Sequence, residues 1–68
     1  MTVTVTPELA RRADSQGSVV LVQGLTDTGR TIVFAGDARP MYDFLTAVID
    51  GGEPLECDVE PWQILGRG

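Results

Sequence analysis

The sequence predicts a small α+β domain: one sheet of about four strands in the order β, short α, β, β, α, β, with one amphipathic helix on one face. Two observations carry this. Met41, Phe44, Leu45, Val48 and Ile49 fall at i, i+3, i+4, i+7 and i+8, a single apolar stripe on a helical period. The segments before and after that stripe are rich in β-branched residues or alternate apolar with polar, so a sheet is the natural surface for the stripe to cover.

The elements follow in chain order. Thr2–Thr6 alternates Thr and Val, which puts Val3 and Val5 on one face of a half-buried strand. Thr6-Pro7-Glu8 is a helix start: a hydroxyl N-cap, a proline at the first helical position and an acid in the first turn. A short helix or helical turn is expected within Pro7–Ser15, stopped by Gly17. Val19–Leu25 and Thr31–Ala35 form a hairpin across Thr26-Asp27-Thr28-Gly29-Arg30. Val19, Val20, Leu21, Val22, Ile32, Val33 and Phe34 are expected to make this hairpin the most buried part of the sheet.

The long helix starts at Asp37 as N-cap, with Pro40 in its first turn, or alternatively with Pro40 at its first position. Asp43 is expected near its positive end. Gly51-Gly52 stops it and Pro54 prevents continuation. Leu55, Cys57 and Val59 then alternate with Glu56, Asp58 and Glu60, an apolar-in, acidic-out strand interrupted by Pro61. Trp62, Ile64 and Leu65 fit a second short strand. The stretch from Ala35 to Leu55 is long enough for a right-handed β-α-β crossover, and an antiparallel return is the alternative.

Sixty-eight residues make one domain. A chain of this size buries only about 60% of its unfolded surface, and its core rarely supplies more than about 3–5 kcal/mol. The lone Cys57 offers no intrachain disulfide, and with no histidine a structural metal is not expected. Self-association or a larger protein partner is therefore the expected supplement. No apolar run approaches the roughly 20 residues of a membrane span. The lone cysteine and the lack of an export signal suggest a cytoplasmic setting.

The net charge of −5 sits wholly in residues 37–68, where Arg39 and Arg67 face seven acids. There is no basic patch, so direct nucleic-acid binding is not expected.

Several constellations invite a functional reading. Glu53, Glu56, Asp58 and Glu60 form an acidic stripe. Alternate carboxylates on a strand stand about 6.6–6.8 Å apart, near phosphate spacing, so the stripe resembles the surface of small phage-type inhibitors that mimic DNA. The alternative is an ordinary solvated strand face whose charges discourage edge-to-edge pairing. Trp62 is either a binding anchor or a plug at the end of the core. Arg39 and Tyr42 lie off the helical stripe and are candidate contact residues. Cys57, on the inward phase of its strand, reads as a structural thiol with no histidine to activate it. Asp27-Thr28-Gly29, with Ile64-Leu65-Gly66-Arg67, resembles the catalytic loop and late apolar segment of retroviral-type aspartic proteases. That resemblance implies a homodimer in which two copies of Asp27 share a proton. The sequence departs from it at Thr26, where the family has an apolar residue, and in lacking the length for a flap.

Together these readings predict a small acidic domain of phage or regulatory accessory type. It works by binding protein, with a second copy as the expected partner, and uses no catalysis, metal or cofactor. Its contact surface is expected either at the strand edge near Thr2–Thr6 or around Trp62. Glu56, Asp58, Glu60, Arg39 and Tyr42 are the other candidate contacts.

Overall fold

The computed structural model describes residues 1–67. Its elements are β1 (Thr2–Val5), α1 (Pro7–Arg11), β2 (Asp14–Gln16), β3 (Val19–Leu25), β4 (Thr31–Asp37), α2 (Ala38–Gly51), β5 (Leu55–Asp58), a 3-10 turn (Pro61–Gln63) and β6 (Ile64–Arg67). The fold is the α+β class expected, with one sheet and one long helix. The sheet has six strands rather than about four, ordered β5-β1-β3-β4-β6, with β2 paired to β3 beside β1.

The two extra strands have physical causes. Thr6 caps α1 through its hydroxyl, which accepts from the Leu9 amide at 3.2 Å. The helix then stops at Arg11, well before Ser15. Asp14–Gln16 is freed to pair with Val19–Leu21. Gly17, expected as the helix stop, instead turns the β2–β3 hairpin at φ 69°. At the other end, Pro61 opens a 3-10 turn rather than continuing a strand. Trp62 lies in that turn, and β6 begins only at Ile64.

Every strand pairing is antiparallel. The stretch from β4 to β5 is thus an antiparallel return and not a parallel crossover. α2 carries the chain over the sheet to its far edge, where β5 pairs with β1, Val3 opposite Cys57. Residues Thr2–Val5 therefore lie between β5 and β3, and the free edge expected near Thr2–Thr6 is occupied. The Met1–Val59 pair extends this ladder, with the Val59 amide donating to the Met1 carbonyl at 2.7 Å.

The core forms on one side of the sheet. Val3, Val5, Val20, Val22, Ile32 and Phe34 point there and meet Leu45 and Val48 of α2, Ala10 of α1, and Val59. Each such aliphatic side chain, fully buried, contributes about 1.5–3 kcal/mol. The helical stripe thus packs as its spacing predicts, with Leu45 and Val48 buried and Met41, Phe44 and Ile49 half-buried around them. α2 begins directly after β4. Asp37 is at once the last strand residue, paired with Val19, and the helix N-cap, although its carboxylate makes no capping bond. Pro40 falls at the third helical position, and Asp43 lies beyond the first turn. A Cβ at Gly36 would lie 2.5 Å from Cγ and Sδ of Met41, so any side chain at this tight entry must push Met41 aside. Gly52 ends the helix at φ 68°, its amide bonded to the Val48 carbonyl at 3.0 Å.

Candidate docking surface

The strands β3 and β4 carry apolar residues on both faces, and among the described residues helices cover one face. Along them buried residues alternate with half-buried ones up to the exposed Asp37. Val20, Val22, Ile32 and Phe34 belong to the core, whereas Val19, Leu21 and Val33 point to the opposite side and are half-buried. The sequence reading placed all seven in the interior. The structure moves these three, with Ala35, to an outer face. α1 packs on α2 and so lies on the core side. Among the described residues no helix crosses the outer face. Leu21 stands opposite Ala35, and Gln23 opposite Val33.

At one end of this face stands Trp62. It is 80% exposed, which overturns the reading of it as a core plug. Its turn is firmly held. Gln63 donates from its amide to the Glu60 carbonyl at 2.9 Å, and its side-chain oxygen accepts from the Glu60 amide at 2.8 Å. Its side-chain nitrogen donates to the Ala35 carbonyl at 2.9 Å, which ties the turn to the edge of β4. The indole is therefore displayed from a fixed platform. It forms one wall of a small groove of about 150 Å³ with Val19, Ala35, Gly36 and Asp37.

Of the other candidate residues, Glu60 caps the turn that carries Trp62, and the remaining ones do not join it in one patch. Glu56 and Asp58 are exposed on β5, at the opposite end of the strand order from β6. Asp58 accepts a bond from the Thr2 hydroxyl at 3.0 Å. Glu60 lies past the end of the strand, and Glu53 before its start. The acidic stripe is thus reduced to one regularly spaced pair, Glu56 and Asp58. Leu55, expected to face inward, is 39% exposed. Arg39 and Tyr42 are exposed on the first half of α2, on the helix side of the molecule. The Tyr42 hydroxyl donates to Ser15 Oγ at 2.6 Å, pinning the helix to β2.

Cys57 is half-buried, and burial, followed by the negative charge of Asp58, pushes its thiol up from the ordinary 9.0. This weakens it as a nucleophile at neutral pH.

The Asp-Thr-Gly segment is the tip of the β3–β4 hairpin. Thr26 closes it, its amide donating to the Arg30 carbonyl at 2.8 Å and its hydroxyl accepting from the Arg30 amide at 3.1 Å. The polar residue in place of the family's apolar one is thus explained by the turn. Asp27 is exposed at the rim of an open pocket of about 660 Å³ that Ile64, Leu65 and Gly66 also line. No helix is long and apolar enough to cross a membrane among the described residues.

Comparison with protein-family models, curated proteins and solved structures yields no match to this chain.

Proposed function

We propose that this chain is a protein-binding domain that works by association and not by catalysis, and that its outer sheet face joins it to a second copy. The supporting observation is the apolar, uncovered outer face of β3 and β4, centred on Leu21 and Val33. An antiparallel sheet with one solvated face normally carries polar residues there. Here Leu21, Val33 and Ala35 surround a single polar residue, Gln23, at the centre of that face.

Two such faces stacked about 10 Å apart would make a sandwich. That second layer gives a domain of this size the additional buried area it lacks alone. The molecule measures 26 × 26 × 17 Å, and the outer sheet face lies on a broad side. The exposed acids Glu56 and Asp58 fall on β5, toward the margin of such a contact, where they remain hydrated.

The test is the double variant L21E/V33E. It places charge on the outer face while leaving the core untouched. The expected result is a protein that stays folded and loses self-association by light scattering. Unchanged association would remove the outer face from the proposal.

A further inference from the structure

We infer that the groove between Trp62 and Asp37 is a recognition site for a cationic side chain, an arginine or lysine on an extended segment of a protein partner. This goes beyond self-association, and because the groove shares Val19 and Ala35 with the outer face, a partner's cation and a second copy compete for this end of the sheet. The groove is far below the roughly 300–1,000 Å³ of small-molecule sites. Its volume of about 150 Å³ is the room of one side chain.

Its walls have the chemistry that a cation on an aliphatic stem requires. Trp62 presents an exposed indole, the best aromatic face for a cation. Asp37 supplies a carboxylate that is not engaged in capping α2. Val19 and Ala35 form an apolar floor along which the methylenes of arginine or lysine can lie. The site is also pre-formed. The Gln63 bonds to Glu60 and to Ala35 fix the turn that carries the indole, and β4 pairing with Val19 fixes Asp37. Little ordering remains to oppose binding. The net charge of the chain, −5, favours a cationic ligand.

The probe is a blocked tetra-arginine peptide, with blocked tetra-glutamine as control. Trp62 is the only tryptophan, so its fluorescence reports on the groove directly, and amide shifts at Ala35, Gly36 and Asp37 locate the contact. Tetra-arginine should give saturable changes at both readouts, and tetra-glutamine none. W62L should weaken binding between about twofold and thirtyfold, the range that cation–π contacts span from exposed to desolvated, and D37N by up to about fivefold, as for an exposed ion pair. Both positions are exposed, so neither change threatens the fold. Shifts centred on Glu56 and Asp58 and indifferent to D37N would overturn the proposal, as would no response at millimolar peptide. Self-association is read separately, by solution mass, and the titration is run at a protein concentration where that mass is the monomer's, so a silent groove overturns this inference while self-association stands or falls on its own.

Discussion

The two faces of the β3–β4 hairpin are built from the same kinds of residue and have different fates. On the inner face Val20, Val22, Ile32 and Phe34 are 0–6% exposed beneath α2. On the outer face Val19, Leu21, Val33 and Ala35 are only half-buried, and among the described residues no helix covers them. The difference is the presence of a second layer. Apolarity on both sides of a strand specifies two contacts, and this chain supplies one of them from its own sequence.

The comparison can be broken most forcefully from the inside. Phe34→Ala should cost about 3–5 kcal/mol, enough to unfold most of a small domain, as read by urea denaturation. If Leu21→Ala cost as much in the isolated chain, the two faces would not differ as described. Next is the helix entry. Gly36→Ala should cost about 1–3 kcal/mol through the clash with Met41, and adding Met41→Ala should recover part of that loss. Equal costs with and without Met41 would place the strain elsewhere. Gly52→Ala should cost about 1 kcal/mol, because the left-handed helix end suits glycine.

The smallest effect is at Cys57. Its thiol is raised in the folded state, so the folded form holds its proton to higher pH than the unfolded form does. Stability is therefore complete below the ordinary thiol value of 9.0 and declines as pH climbs from there toward the folded value. Cys57→Ser should flatten that decline, measured by denaturation across alkaline pH.

The sequence made the helix legible because its signals agreed. The apolar stripe, the proline in the first turn and the Gly51-Gly52 stop all point to one element, and Ala38–Gly51 matches them. The hairpin was legible for the same reason. β2 was not, because Asp14-Ser15-Gln16 is polar on both sides and owes its strand form to pairing with β3. The end of β5 was misread because Val59 keeps the inward alternation after the strand has finished at Asp58. The outer face had a visible signal, the unbroken apolar run Val19–Val22, which suits a strand covered on both sides. It read as core because periodicity reports how apolar each face is and not whether anything covers it. Trp62 could not be placed because its position depends on the tether from Gln63 to Ala35, 28 residues away in the chain.

The outer face carries the proposed function, and solution mass tests it most directly. Sedimentation equilibrium across micromolar concentrations should show the 7.3 kDa chain rising toward twice that mass, while L21E/V33E holds at the monomer value with its fold intact. A wild-type chain that remains monomeric throughout, or a variant that associates as well as the parent, would contradict the account.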